Sequence, residues 1–458
     1  MKCISMYKAL LLLVGVLMPL LFACTRSYPG LEYEDDNGFS NGEGSTNTPI
    51  MLFLNDPLFF TMTTTRGTGV FEPDNKNKYN NATFHVFAFR DAEDVDMTMT
   101  LASDSDRYNC LVDGDVFFKG RPMKMNKDNS GEMEFIRDEE TNVTEHLYYG
   151  SKYQELGYNF FGYYIDDFEP TSENSVRTKD EIYHNVDIDG SQDIMCGYSR
   201  ELTPEYVLNI LKKNGNSSST GLIADRNNIL NYGYSTYAAH RNVNPVIDLK
   251  HVLARLKFEA YAGDNKAQNI TITNIEVKSR TKGKLTVAAA DLTKVGLQVD
   301  ESQTPKSLYL KEASVDGVAP TTSLRQDYYK VELKKGDVNK YWANRTPLPI
   351  GESLLVMPSD SYQLIIHYNE LRKESEDSDK MILRKGIKAE YTINAPKLAV
   401  NYDEASENYK FKGGYAYTIK IAVYGLQPIE VSAQIEGWKE GGSVGIDPDE
   451  NPNSSIDL

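Results

Sequence analysis

The sequence predicts a mostly β chain with strands spaced as in β-sandwiches and only a few short helices. Three observations carry that expectation. Apolar residues recur with a period of two along most of the chain, as in strands that bury one face or both. Composition leans the same way, with 30 Tyr and 17 Phe against 2 Trp. Helical signals are scarce beside some fifteen strand-like runs, which favours sandwiches over a parallel α/β sheet.

The elements follow in chain order. Residues 50–60, IMLFLNDPLFF, are apolar enough for a core strand, and the polar, Gly-containing segment TTTRGTG follows at 63–69. ATFHVFAFRD (82–91) and GYNFFGYYID (157–166) are apolar on both faces, so each predicts a strand inside a sandwich. The polar stretch around 172–185 reads as loop. TPEYVLNILKKNG (203–215) predicts a helix. Thr203 can cap it, Pro204 suits the first turn, Lys212 and Lys213 complement the dipole, and Gly215 can end it.

Two segments break phase. In VIDLKHVLARLKFEAYA (246–262) the apolar set runs Leu249, His251, Leu253, then shifts to Ala254, Leu256, Phe258 and Ala260. A helix also fits part of it. NITITNIEV (269–277) shifts between Ile272 and Ile275. A one-residue slip swaps the buried face, so a β-bulge or a crossing between sheets is expected. Near the C-terminal end, Tyr362, Leu364, Ile366 and Tyr368 share one face. So do Tyr415, Tyr417, Ile419, Ile421 and Val423. Ile429, Val431, Ala433 and Ile435 alternate with Glu430, Ser432, Gln434 and Glu436, as in a half-buried strand.

At 458 residues the chain has room for two or three domains. The divisions expected are a signal peptide (1–23), a lipidated flexible tether (24–49), an N-terminal β-sandwich domain (50–240), a C-terminal one (241–440) and an acidic flexible tail (441–458). A boundary near 232–246 lacks strong punctuation. The formal net charge of −17 argues against nucleic acid or an anionic membrane surface as electrostatic partner.

The N-terminus carries Lys2 and Lys8 and then an apolar run from Ala9 to Ala23, the pattern of a secretory signal peptide. It ends in Leu21, Phe22, Ala23 and Cys24, which resembles the bacterial lipobox. That resemblance implies lipidation of Cys24 and cleavage before it, giving firm anchoring. Glu32, Glu34, Asp35 and Asp36 form an acidic cluster like those associated with surface export in Bacteroidota lipoproteins, though it begins late. A solvated linker is the plainer reading. Cys110 and Cys196, 86 positions apart, could pair in an oxidising periplasm but show no disulfide framework, and two buried free thiols are the favoured reading.

Motifs for chemistry are missing. No phosphate loop, dinucleotide fingerprint, paired-His zinc motif or nucleophile elbow occurs, so no enzyme, cofactor or metal is expected. His251, on an otherwise apolar face, reads as a satisfied core histidine. DIDGSQD (187–193) looks like a piece of a calcium loop, but the EF-hand spacing is unmet and the distal Glu is missing. Tyr148, Tyr149, Tyr163 and Tyr164 could stack on sugars, with core packing the default.

Four features together resemble the fimbrillin-type (type V pilus) subunits of Bacteroidota. They are the lipobox at Cys24, the apolar strand followed by Thr65, Arg66 and Gly67, the pair QDIMCGY (192–198) and DLKHVLARLKF (248–258), and the ending YTIKIAVYGLQPIEVSAQIEGWKEGG (417–442). The resemblance implies two tandem transthyretin-like β-sandwich domains and export as a lipoprotein to the outer membrane. It implies cleavage after Arg66, leaving Gly67, by a trypsin-like, Arg-specific protease. It also implies that a neighbouring fimbrial subunit's strand replaces the one removed, with a host glycan or protein as the adhesive ligand. The short acidic tail after Trp438 leaves the roles of stalk, tip and anchor open. The rival expectation is a monomeric surface lipoprotein that binds glycans or host ligands without polymerising.

Overall fold

The structure is a computed structural model, and it describes residues 48–54, 82–100, 108–114, 116–125, 132–139, 141–150, 154–213, 219–262, 270–311, 348–375, 377–423 and 430–437. The described residues belong to one compact unit.

A ten-stranded sheet holds the first half. It comprises β1 (Leu52–Leu54), β2 (Phe84–Arg90), β3 (Cys110–Val112), β4 (Arg121–Met125), β5 (Glu132–Asp138), β6 (Val143–Glu145), β7 (Tyr158–Ile165), β10 (Ile194–Tyr198), β11 (Val246–Ile247) and β12 (Lys250–His251), in the order β11-β1-β5-β4-β2-β7-β10-β12. β3 adds beside β2, and β6 beside β5. The sheet closes on itself, because residues 246–251 run antiparallel along β10. Met195 faces His251, Ser199 bridges Ile247, and the Asp248 N–H donates to the Tyr198 carbonyl at 3.0 Å. On its other side β11 pairs in parallel with β1.

Burial on both faces explains why β2 and β7 carry apolar residues at odd and even positions alike. Phe84, Val86, Ala88, Tyr158 and Phe160 face the inside of the curled sheet, with Leu52, Met133 and Ile247. Phe87, Phe89, Phe161 and Tyr163 face outward into a second core. Three helices, α1 (Pro204–Lys213), α2 (Ser219–Tyr232) and α3 (Thr236–Ala239), contribute to the inner core through Val207, Leu211, Ile229 and Tyr237. The expected cap of α1 is present, with the Tyr206 N–H donating to Thr203 Oγ1 at 3.2 Å.

The outward core is covered by a four-stranded sheet, ordered β16-β15-β9-β8. Its strands are β8 (Ser175–Arg177), β9 (Glu181–Asp187), β15 (Lys282–Ala289) and β16 (Gly296–Val299). The stretch 172–185 is therefore a hairpin and not the expected loop. Its polarity misleads because Ser175, Arg177 and His184 are buried polar residues. Arg177 is fully buried against Asp113, with paired bonds of 3.0 and 2.9 Å, and it also donates to the carbonyls of Phe117 and Met99. A paired, hydrogen-bonded ion tolerates a burial that a lone one would not.

The remaining strands form a sandwich of two four-stranded sheets. One is β18 (Leu348–Val356), β13 (Ala254–Ala262), β23 (Tyr415–Val423) and β24 (Glu430–Gly437), in that order. The other is β17 (Lys306–Tyr309), β14 (Ile270–Ser279), β19 (Ser361–Lys373) and β20 (Met381–Asn394). A small two-stranded ribbon, β21 (Tyr402–Asp403) and β22 (Asn408–Tyr409), completes the strands. The predicted faces of β19 and β23 meet in this core, through Tyr362, Leu364, Ile366, Tyr417, Ile419, Ile421 and Val423. β24 pairs with β23 in the register Ile421↔Val431 and Tyr417↔Ile435.

Both phase breaks have a structural cause. Residues 246–262 are strands, not a helix, and the chain passes there from the closed sheet into the sandwich as β12 gives way to β13. β14 carries a register shift between Ile272 and Asn274. The inner core draws on residues from Ile50 to Leu249 and the sandwich core on residues from Ala254 to Val423. The third draws on both, since β15 pairs with β9 and Leu253, Leu355 and Met357 join Phe87 and Tyr163.

That third core contains His184, whose ring lies 4.9 Å from Tyr163, with Nδ1 2.8 Å from Ser175 Oγ and Nε2 without a partner among the described residues. Burial holds its pKa down at about 3. His85, on the other strand facing Tyr163 at 5.2 Å, is also pushed down to about 3, first by burial and then by the Lys119 and His184 charges. Below pH 6.5 an unfolded chain would take up protons that the folded one refuses, so stability is full above pH 6.5 and falls as pH drops toward 3. We expect His184 to cost about 2 kcal/mol at pH 5 relative to pH 7.5, and half-buried His85 to add less. Urea denaturation at the two pH values measures this, and His184→Gln should flatten the difference.

Candidate functional site

The candidate site is the seat of β1. Alternation in IMLFL points Ile50, Leu52 and Leu54 inward, where they are 6%, 0% and 4% exposed. Met51 and Phe53 are half-buried on the opposite face. β1 is antiparallel to β5, with Leu52 opposite Met133, and parallel to β11, with Phe53 opposite Val246. Just before it, the Ile50 N–H donates to the Leu147 carbonyl at 2.8 Å, and the Tyr149 N–H to the Thr48 carbonyl at 2.9 Å. The Thr48 hydroxyl lies 2.7 Å from His240 Nε2.

Three buried aliphatic side chains stabilise the fold by about 2 kcal/mol each, or roughly 6 kcal/mol together. That is comparable with the whole net stability of a typical domain, about 5–15 kcal/mol. A chain without β1 would therefore expose an apolar groove between β5 and β11, with unpaired backbone on both walls.

The far wall of this seat is fixed by a contact that sequence patterning does not reveal. Gly197 on β10 lies against residues 248–249, and a Cβ there would sit 2.0 Å from the Asp248 carbonyl oxygen. Only glycine lets β10 approach residues 246–251 closely enough to carry β11 beside β1. The same track is tied by His251 Nδ1 to Asp193 Oδ1 at 2.9 Å, both side chains being buried. QDIMCGY and DLKHVLARLKF, noted as a pair in the sequence, are thus adjacent strands linked by a buried His–Asp contact.

Of the site residues expected from sequence, Cys24, Arg66 and Gly67 lie outside the described residues. The acidic cluster at Glu32–Asp36 positions, the tail beyond 437 and Trp438 do too. Cys110 and Cys196 are free and buried in the outward core. Burial pushes the Cys196 thiol up to about 12 and the Cys110 thiol higher still. Neither is therefore a reactive thiolate. The three carboxylates of 187–193 engage separate partners. Asp187 accepts from Thr281, Asp189 from Ser191 and Lys311, and Asp193 faces His251. Among the described residues no group of three His, Cys, Asp or Glu is placed to hold a metal ion. Tyr149 and Tyr163 are buried, and the Tyr163 hydroxyl donates to the Lys119 carbonyl at 2.6 Å. Among the described residues no helix is long and apolar enough to cross a membrane.

No protein-family model and no curated protein matches the chain. Several solved structures are similar over most of its length. A fimbrial protein from Bacteroides vulgatus has 12% identity and a TM-score of 0.41, covering 86% of this chain and 100% of that one. A candidate cell adhesion protein from Bacteroides uniformis has 12% identity and a TM-score of 0.39, covering 86% and 99%. The tip fimbrial protein Mfa3 from Porphyromonas gingivalis, with a C-terminal truncation, has 10% identity and a TM-score of 0.33, covering 85% and 100%.

The Gly197 contact gives a direct expectation. Gly197→Ala should force β10 away from residues 248–249 and destabilise the chain by about 3 kcal/mol. Hydrogen exchange should show the loss first in residues 246–251 and in β1. Unchanged protection there would mean that the seam does not depend on this close approach.

Proposed function

We propose that the chain is a structural and adhesive subunit of a cell-surface fimbrium, made as a lipoprotein anchored to the outer membrane through Cys24. An Arg-specific, trypsin-like protease cuts after Arg66, which frees the subunit from its lipid and separates β1 from the rest of the chain. A strand from another fimbrial subunit then fills the place of β1. The observation that carries this reading is the seat of β1: a short strand, buried on one face, paired on both edges and followed in sequence by the Arg66 segment.

The physics of replacement is favourable. An incoming strand with apolar residues at alternate positions would fill the pockets of Ile50, Leu52 and Leu54 and pair with both β5 and β11. Such a contact joins different surfaces of two subunits, so it propagates as a filament and does not close into a dimer. The groove is costly to leave open, which drives the exchange once the strand has gone.

Treatment of the purified, non-lipidated chain with a trypsin-like protease tests this. The expected result is one new N-terminus at Gly67 followed by concentration-dependent multimers, with Arg66→Ala remaining uncut and monomeric. A chain that is cut at Gly67 and stays monomeric at every concentration would overturn the strand-exchange reading.

A further inference from the structure

The seat of β1 has a sulfur-rich floor. β4 and β5 give four side chains to the inner core: Met123, Met125, Met133 and Phe135. Two of the methionines stand in line with β1. Leu52 is the register partner of Met133 on β5, and Met133 is the register partner of Met125 on β4. Such cross-strand partners have Cβ atoms about 5 Å apart. Leu52 is fully buried and Met133 is 5% exposed, so the leucine covers the thioether from the side. β6 shares that edge of β5 but pairs only from Phe135 onward, so β1 is the strand beside Met133 among the described residues.

We infer that Met133 is an oxidation site, and that its sulfoxide closes the seat to an incoming strand. The inference rests on the strand-exchange reading and adds a redox control to the same seat. In the uncut chain β1 shields the sulfur. Once β1 has gone, Met133 lies at the open edge of β5, where hydrogen peroxide can reach it. The sulfur lone pair attacks one peroxide oxygen, and an S–O bond forms as the O–O bond breaks. The transferred oxygen passes its proton to the departing hydroxide, which leaves as water. The thioether is oxidised by two electrons to the sulfoxide, and the peroxide is reduced.

The product no longer suits an apolar seat. In the open groove water solvates the sulfoxide oxygen, whereas an incoming strand would bury it among apolar side chains. Met125 stands one strand further back and keeps Met133 beside it, so it oxidises second. Met97 and Met357, each 1% exposed in the outward core, supply the contrast, because neither is a register partner of β1.

The purified chain, uncut or cut at Arg66, is treated with millimolar hydrogen peroxide at a dilution that keeps it monomeric. Peptide mass spectrometry then follows the gain of one oxygen at each methionine. We expect Met133 to oxidise at least about tenfold faster in the cut chain than in the uncut one, with Met97 and Met357 unaffected by cutting. After catalase removes the peroxide and the chain is concentrated, the wild type should have lost most of its multimer formation. The double substitution Met125→Leu and Met133→Leu, which nearly conserves volume, should keep it. Three results would each overturn the assignment: equal oxidation of Met133 in cut and uncut chains, undiminished assembly of the sulfoxide-bearing chain, or a doubly substituted chain as sensitive as the wild type. A cut chain that stays monomeric in peroxide-free buffer is a failure of strand exchange itself, and the rate contrast at Met133 then decides the oxidation site on its own.

Discussion

The closure of the first sheet is the constraint on which the rest of the structure depends. Residues 246–251 must pair with β10 on one side while their first two residues hold β1 on the other. One short segment therefore joins the N-terminal strand, the middle of the sheet and the entry to the sandwich. The inner core, with Phe84, Phe160, Met133 and Ile247, is enclosed only while that ring of strands is complete. β1 is only three residues long, yet its inward side chains, Leu52 and Leu54, are buried. A short strand whose one face is buried in this way is necessary to enclose the core.

The second consequence is rigidity on the opposite side. The outward core is built from both halves of the sequence, because β15 reaches back to pair with β9 and carries β16 on its other edge. Arg177 and Asp113 fasten β8 beneath the loops around Met97, Met99 and Phe117, using a fully paired guanidinium. Loss of β1 would open the inner core and leave this outward core and the far sandwich with their own contacts intact.

Much of the architecture was legible in the sequence, for identifiable reasons. Where alternation is regular, as in Tyr362 to Ile366 or Tyr417 to Val423, the predicted face is buried in the sandwich core. Phase breaks at 249–254 and 272–275 marked the crossing between sheets and the bulge because a slip of one residue always swaps faces. The hairpin at 175–187 was not legible, since Arg177 and His184 are polar residues buried by pairing that arises only in three dimensions. α2 escaped notice because its polar and apolar residues do not segregate cleanly to two faces, as Asn227, Asn228 and Arg226 sit beside Ile229. At the candidate site the apolar run of β1 and the two paired motifs could be read. The parallel partner β11 and the close approach at Gly197 could not, because each joins residues far apart in sequence.

The central claim is that β1 leaves its seat when subunits assemble. Phe53 and Val246 are register partners on β1 and β11, so the double substitution Phe53→Cys and Val246→Cys can tie the strand in place through a disulfide. The oxidised chain should be cut by the protease yet remain monomeric with β1 attached, and a reducing agent should restore multimer formation. Oxidised and reduced chains that assemble at the same rate would contradict the account, because assembly would then proceed with β1 still in its seat.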